Sequence, residues 1–186
     1  KVIPLKIKIK NIIEKNNFEI TTDYLNNELQ KTTEQLPLEI HLDELVEEAQ
    51  IFKINPGSYL NLKDALERCD KEKVTNYIKN LLENFKYITI SYIRENLNQE
   101  FDYENSNFYY DTLVKIISKE NNWIFKKKYL SKERFDFEEL DEKIKNSYDM
   151  NLNINENYSK MPKNIGISML EIMDLRRQLS ENYKIN

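Results

Sequence analysis

The chain contains an internal repeat, which limits its possible folds more than any other feature of the sequence. Four blocks recur in the same order, with gaps only between them: 9–14 (IKNIIE) with 78–83 (IKNLLE), 20–25 (ITTDYL) with 88–93 (ITISYI), 43–46 (DELV) with 111–114 (DTLV), and 51–53 with 124–126 (both IFK). One or two such matches arise from composition alone, whereas four in order indicate a duplication. We therefore expect two copies of one structural unit.

Each copy has the same predicted order of elements: a helix, a short strand, two more helices and a β-hairpin. The first helix of each copy carries apolar residues at i, i+3 and i+4, which is the spacing of one helix face. The first hairpin has alternating apolar residues around a Pro-Gly turn at 55–58. The predicted elements are 8–16, 19–21, 23–30, 41–50 and the hairpin 51–62 in the first copy, and 74–85, 87–89, 91–98, 106–119 and the hairpin 123–130 in the second.

This order of elements resembles that of the winged helix-turn-helix architecture, and the chain up to about residue 134 resembles two such units in tandem. The resemblance is carried by helix order and hairpin, not by a diagnostic motif of one family. Similar tandem arrangements occur in replication initiators, in segregation accessory proteins of the kleisin-binding type and in polymerase accessory factors. The resemblance therefore implies binding to DNA or to a protein.

The predicted fold class is mainly α with small β-hairpins (α+β), in which two tandem winged-helix units precede C-terminal helices. The predicted domains are winged-helix unit 1 at 1–62, a connector helix at 63–73, winged-helix unit 2 at 74–134 and a C-terminal helical segment at 135–186. The connector is assigned as a helix that leads into the second unit.

Within the C-terminal segment, apolar spacing predicts a helix at 135–149 and a final helix at 169–179. The Asn-rich stretch 150–164 contains a proline and is predicted to be a loop. The string at 165–170 resembles 88–93. Two expectations follow: this segment either opens a third unit or ends in a helix that packs on the wings.

Composition argues against the common catalytic architectures. Gly57 and Gly166 are the only two glycines of the 186 residues, whereas phosphate-binding loops, dinucleotide fingerprints and nucleophile elbows need clustered glycines. His41 is the only histidine and Cys69 the only cysteine, so a Cys/His zinc site lacks ligands. We therefore predict a protein that is not an enzyme and that uses neither a cofactor nor a metal.

The remaining composition bears on location and partners. A lone cysteine rules out a disulfide framework and is typical of a reducing cytosol, so we expect a cytoplasmic protein. The sequence has neither a signal peptide nor an apolar run of about 18 residues, so we expect no membrane partner. The 28 basic and 32 acidic residues give a formal net charge of -4, so any nucleic-acid surface must be a local patch.

The segment from Asn105 to Arg134 in the second copy is such a patch, because its lysines outnumber its acidic residues. In a winged helix the start of the third helix meets base edges in the major groove, and a basic wing contacts phosphate. The resemblance thus implies duplex DNA as a partner of unit 2. The candidate nucleic-acid-binding residues are Ser106, Asn107, Tyr110, Lys115, Lys119, Lys126, Lys127 and Lys128.

The third helix of the first copy has the opposite charge. Its carboxylates would repel phosphate, so we predict that unit 1 binds a protein partner or forms a homodimer. A bound divalent cation is a weaker explanation, because calcium sites also use loop carbonyls and a tight glycine turn. The plainest alternative is a solvated acidic face. The candidate protein-interaction residues are Asp43, Glu44, Glu47 and Glu48.

Three hypotheses for the function stay open. The first is a non-enzymatic DNA-binding module for replication or transcription regulation, in which unit 2 contacts duplex DNA. The second is a protein–protein adaptor of the segregation, replication or polymerase accessory type that makes no DNA contact. The third is a specificity module of a larger enzyme, motivated by a chain that starts at Lys1 rather than Met. Salt separates the first two, since DNA binding weakens steeply as salt rises.

Overall fold

A computed structural model describes residues 2–29 and 38–185 of the chain, with side chains described through Asn182. Over these residues the fold is mainly α-helical with small β-sheets, which confirms the predicted α+β class. The predicted end of the second helix, Gln30, lies outside the described residues. Within the described ranges, no helix is both long and apolar enough to cross a membrane.

The first copy of the repeat forms three helices and a three-stranded antiparallel sheet. Its elements are α1 (Leu5–Lys15), β1 (Ile20–Thr21), α2 (Thr22–Leu29), α3 (Leu38–Glu47), β2 (Ile51–Asn55) and β3 (Ser58–Asn61). Strand β3 is central, with β1 on one side and β2 on the other. Gly57 closes the β2–β3 turn with a φ of 74°, a conformation that glycine adopts at little cost. The hairpin therefore forms at the predicted turn.

The second copy repeats this arrangement. Its elements are α5 (Lys71–Asn84), β4 (Tyr87–Thr89), α6 (Ile90–Phe101), α7 (Asn107–Asn121), β5 (Ile124–Lys126) and β6 (Tyr129–Ser131). Strand β6 lies between β5 and β4, as β3 lies between β2 and β1. Lys127 has a φ of 59° in the two-residue turn, which is the backbone of a tight hairpin. Both copies thus share one order of helices and one order of strands.

The segment between the copies is not one continuous helix, which corrects the expectation for 63–73. A short helix, α4 (Leu62–Leu66), follows β3 directly, and a turn separates it from α5. Asn61 starts α4, because its side chain accepts a hydrogen bond from the N–H of Asp64 at 2.8 Å. Cys69 lies in the turn and is buried.

The C-terminal segment contains α8 (Phe137–Asn146), α9 (Ile154–Lys160), β7 (Ile165–Gly166) and α10 (Met169–Ile185). Helix α9 contradicts the prediction of a loop over 150–164. Asn153 caps it by accepting from the N–H of Glu156 at 2.8 Å, and buried Asn157 accepts from the N–H of Asp149 at 2.7 Å. The asparagines that indicated a loop therefore cap and support a helix. Strand β7 pairs in parallel with β4.

The chain forms two compact units, each with its own core. The first comprises Lys1–Glu72 with Glu104–Ile117, and the second Lys73–Tyr103 with Ser118–Asn186. Helix α7 therefore begins in the first unit and ends in the second. The winged-helix domains predicted above are defined by the order of elements rather than by contact, and they stay a prediction. Side chains of the two cores include Ile9, Ile13, Leu25, Leu42 and Leu45 in the first unit, and Tyr129, Leu140, Ile165, Ile172 and Leu175 in the second.

Candidate functional site

Helix α3 presents one exposed face and one buried face. Leu42 and Leu45 lie in the core of the first compact unit. Glu48 follows the last residue of the helix and is exposed. The exposed face carries four side chains at i, i+3, i+4 and i+7, which are Ile40, Asp43, Glu44 and Glu47. The four predicted protein-interaction carboxylates are therefore all exposed at or beside this face.

A lysine of α1 pairs with two of these carboxylates. The ammonium of Lys6 lies 3.1 Å from Oε2 of Glu44 and 2.7 Å from Oε1 of Glu48. The hydrogen bond to Glu48, followed by that to Glu44, raises the pKa of Lys6. In the described part of the chain, Asp43 forms no ion pair. The acidic face is thus partly neutralised from within, and the Asp43 carboxylate is left without an ion pair in the described residues.

Lys115, a predicted DNA contact on α7, belongs to the same compact unit as the acidic face. Its ammonium lies 2.8 Å from Oε2 of Glu47 and 2.9 Å from Oδ2 of Asp111. Burial lowers the pKa of Lys115, but the hydrogen bonds to the two carboxylates outweigh it and leave the pKa above its ordinary value. Lys115 is therefore committed to carboxylates of its own chain rather than to a phosphate.

One exposed isoleucine lies beside the ion pair of Lys6 and Glu44. Ile40 precedes Glu44 by one turn of α3 and is 56% exposed, and residues four apart are neighbours on a helix surface. Ile3 lies two residues before the start of α1 and is 50% exposed. The acidic face of α3 thus also carries an apolar side chain.

The start of α7, predicted to meet base edges, is packed within the first compact unit. The hydroxyl of Ser106 donates to the carbonyl of Ile54 and accepts from the N–H of Tyr109 at 3.2 Å, so Ser106 caps the helix. Tyr110 is fully buried. Its predicted contact with a base is therefore wrong, because its ring packs into the core edge-on to Tyr109. Asn107 is half-buried.

The predicted basic wing is the β5–β6 hairpin, and its lysines are exposed. The ammonium groups of Lys126 and Lys127 lie 5.3 and 5.4 Å from the ring centre of Phe137, within range of a cation–π interaction. Neither lysine forms an ion pair in the described residues. Lys128 faces Glu171 instead, with 3.9 Å between Nζ and Oε2. Lys119, near the end of α7, is also exposed.

Acidic side chains accompany the basic tip. Phe137 begins α8, and the first turn of that helix carries Glu138 and Glu139. Asp136 caps the helix by accepting from the N–H groups of both glutamates at 3.0 and 3.3 Å. These carboxylates repel phosphate, so the tip is a mixed rather than a uniformly basic surface.

Sequence reasoning missed Glu171, which the fold places against the second wing. Its side chain is only 10% exposed, and Oε1 accepts from the hydroxyls of Thr89 and Ser168. Burial raises the pKa of Glu171. The spacing Ser168-x-x-Glu171 is a capping-box signal that locates the glutamate in the first turn of α10. Two of its partners, Thr89 and Lys128, are remote in sequence.

The single histidine and cysteine do not assemble a reactive site. Cys69 is buried, its Sγ lies 3.2 Å from the hydroxyl of Tyr109, and burial raises the pKa of its thiol. Such a thiol is held in its unreactive form. His41 is half-buried at α3. Across residues 2–29 and 38–185, no three His, Cys, Asp or Glu side chains form a group suited to a metal ion.

No protein-family model, curated protein or solved structure matches the chain. The candidate functions therefore rest on two surfaces: the acidic face of α3 and the basic tip of the β5–β6 hairpin. The first combines carboxylates with an exposed isoleucine, and the second combines lysines with neighbouring carboxylates.

Proposed function

We propose that this protein is a non-enzymatic adaptor that docks a partner protein on the acidic face of α3. The observation that carries the proposal is an exposed isoleucine, Ile40, one turn before Glu44 on the acidic face of α3. Exposed apolar side chains rimmed by charge are typical of protein interaction sites. The free thiol of Cys69 supports a cytoplasmic location.

The architecture we propose for both copies is the winged helix. Its support is the order helix, strand, helix, helix, hairpin, together with a first strand that pairs with the last strand of the hairpin in each copy. On this scaffold the third helix is the usual contact element. In the first copy that helix is α3, whose charge suits a basic protein segment rather than DNA.

The partner chemistry follows from the face itself. Asp43 has no ion pair in the described residues, and the Glu47 side chain is 77% exposed despite its bond to Lys115. A complementary partner presents lysine or arginine next to apolar side chains at helical spacing. We therefore expect a basic amphipathic helix.

The test uses two labelled model peptides of equal length, one a leucine–lysine amphipathic helix and the other its leucine–glutamate counterpart. The double variant Ile40→Ser with Asp43→Asn removes one apolar and one charged contact. Its matched control is Leu170→Ser with Glu142→Gln, a pair of exposed positions in the second unit. We expect the double variant to bind the basic peptide about tenfold more weakly, and the control to bind like the native chain.

Equal affinity for the two peptides, or equal loss in the two double variants, would refute docking on α3. Sedimentation of the native chain alone completes the experiment. Self-association that the α3 double variant abolishes would identify the partner as a second copy of this chain.

A second candidate function is contact with DNA phosphates through Lys126, Lys127 and Lys128. The specific observation in its favour is that Lys126 and Lys127 are exposed without an ion pair in the described residues. Base selection by the start of α7 is not part of this proposal, because Ser106 and Tyr110 are engaged inside the protein.

Fluorescence anisotropy with an AT-rich random duplex tests this candidate at low and physiological salt. Three phosphate contacts predict a slope of log K against log salt of about −3. The triple change of Lys126, Lys127 and Lys128 to glutamate should abolish the binding. A control triple change at exposed lysines, Lys79, Lys160 and Lys163 to glutamate, should preserve most of it. Absence of binding at low salt would eliminate DNA contact for this chain.

A further inference from the structure

The second compact unit contains a cavity of about 540 Å³ behind the basic tip. This volume lies within the range of about 300–1,000 Å³ that is typical of small-molecule sites. Buried apolar side chains line its interior, among them Ile144, Ile167 and Leu175. Three exposed lysines, Lys127, Lys128 and Lys145, also line it, together with the carboxylates of Asp141 and Asp174. Both of these carboxylates have partners, because Asp141 accepts from the hydroxyl of Tyr129 and Asp174 lies 3.5 Å from the guanidinium of Arg177. The cavity therefore combines an apolar interior with lysines, two of which, Lys127 and Lys145, form no ion pair in the described residues.

Glu171 lines this cavity with a carboxylate that is nine-tenths buried. Oε1 of this carboxylate accepts from the hydroxyls of Thr89 and Ser168. Oε2 is buried and has no hydrogen-bond partner within the described residues. The nearest cation, Nζ of Lys128, is 3.9 Å away, beyond hydrogen-bond distance. Buried polar atoms are almost always hydrogen-bonded, so this oxygen indicates a missing donor.

We propose that the cavity binds a nucleotide whose base carries an exocyclic amino group, and that this group donates to Oε2 of Glu171. A carboxylate accepts well from the amino group of cytosine. Phe137 supplies an aromatic ring in the cavity wall, and aromatic side chains stack on bases of any sequence. The site goes beyond the adaptor function, because it lies in the second unit and uses none of the residues of the α3 face.

The lysines that line the cavity favour a ligand whose other end is negatively charged. Lys127 and Lys145 form no ion pair in the described part of the chain, so their ammonium groups are available to a phosphate. A polyamine fits Glu171 but leaves Lys127 and Lys145 without an anionic partner. A ligand with an amino-substituted ring at one end and a phosphate at the other matches both ends. Its source is either a free mononucleotide or the terminal residue of a single strand.

Calorimetric titration of the native chain with cytidine monophosphate and with uridine monophosphate tests the site. Uracil presents a carbonyl where cytosine presents its amino group, so we expect cytidine monophosphate to bind about tenfold or more tightly than the uridine form. Glu171→Gln should remove this preference. Glutamine retains the capping box, so the variant keeps the start of α10.

The matched control is Glu156→Gln, which changes the same type of capping residue at α9, where Asn153 and Glu156 bond reciprocally on the surface. This variant should bind both nucleotides like the native chain. Equal loss in Glu156→Gln and Glu171→Gln would overturn the proposal, as would equal affinity of the native chain for the two nucleotides. Failure of native protein to bind either nucleotide at millimolar concentration would also overturn it.

Two further arms identify the source of the ligand and isolate the phosphate. A 5′-phosphorylated cytidine oligonucleotide that binds more tightly than the mononucleotide indicates a strand end, and the reverse order indicates a free nucleotide. If inorganic phosphate binds as tightly as cytidine monophosphate, the lysines alone account for the binding, and the proposal is overturned. The Ile40→Ser, Asp43→Asn variant should bind nucleotide normally, so failure of this site and failure of the α3 interface are separable.

Discussion

Replacing Tyr109 by phenylalanine should lower the stability of the first compact unit without unfolding it. Tyr109 is fully buried on α7. Its hydroxyl donates to the carbonyl of Ala65 at 2.6 Å and lies 3.2 Å from Sγ of Cys69. Its ring packs on Phe52 with 5.0 Å between the ring centres. Tyr109→Phe retains the ring and removes only the hydroxyl, so the substitution isolates the hydrogen bonds.

The expected loss of stability depends on whether the carbonyl of Ala65 keeps another hydrogen-bond donor. It also accepts from the N–H of Arg68 at 3.1 Å, so it still has one donor after the substitution. The loss is therefore that of one buried hydrogen bond to a carbonyl, together with the weak contact of the Cys69 thiol, rather than that of an unpaired backbone group. Such a loss costs about 1 kcal/mol, which raises the population of opened molecules about fivefold at 25 °C.

Cys69 reports this opening, because it is the only cysteine and is buried against Tyr109. An aromatic disulfide reagent modifies the thiol only in the opened state, so the rate follows the open population when closing is fast. We expect Tyr109→Phe to react about fivefold faster than the native chain. Tyr158→Phe, which removes an exposed hydroxyl from the second unit, should react at the native rate. A native rate in Tyr109→Phe would refute the hydrogen-bond argument.

Three other predictions concern packing, protonation and ion pairing. Gly166→Ala should destabilise the second unit by about 1–3 kcal/mol in urea unfolding, because its Cβ would lie 2.9 Å from Cγ2 of Ile88. Burial raises the folded-state pKa of Glu171 above its ordinary 4.5, so the native stability relative to Glu171→Gln should fall as pH rises from below 4.5 through that pKa; a difference independent of pH would contradict this. Lys115→Gln should lower the free energy of unfolding by less than about 1 kcal/mol at low salt. The loss should be smaller still in high salt, because the bond between Lys115 and Glu47 is partly exposed.

The order of elements was predictable from the sequence because it depends on local signals. Apolar spacing locates α1 and α5, and the Pro-Gly turn at 55–58 locates the first hairpin. The residues that pack against each helix were not predictable from the sequence. Tyr110 has the same local pattern whether it faces a groove or a core, and the residue that packs with its neighbour Tyr109 is Phe52, far away in sequence. Periodicity identifies an apolar face but not its partner.

The charge of each candidate site was predictable from the sequence. Which of its charged groups are already bonded within the chain was not. The excess of carboxylates on α3 and of lysines after 105 is visible in the sequence, whereas the bonds from Lys6 and Lys115 to those carboxylates depend on tertiary packing. The role of Glu171 was not predictable for the same reason, since its partners lie at the end of β4 (Thr89) and in the β5–β6 turn (Lys128). Charge patterns therefore locate surfaces, and packing decides which charges remain for a partner.

The two repeated units share their order of strands but differ in the charge of exposed positions. The third helix of the first unit is acidic, whereas the hairpin tip of the second carries lysines. The bond between Glu47 and Lys115 joins the third helices of the two copies within one compact unit, and this pair withdraws one charge from each predicted site. What remains is Asp43 with its isoleucine neighbour on one surface, and Lys126 with Lys127 on the other. Because each remaining patch has little charge, we expect apolar contact to supply most of the affinity of the proposed α3 interface. Salt should then weaken the proposed DNA contact of the basic tip far more than protein docking on α3.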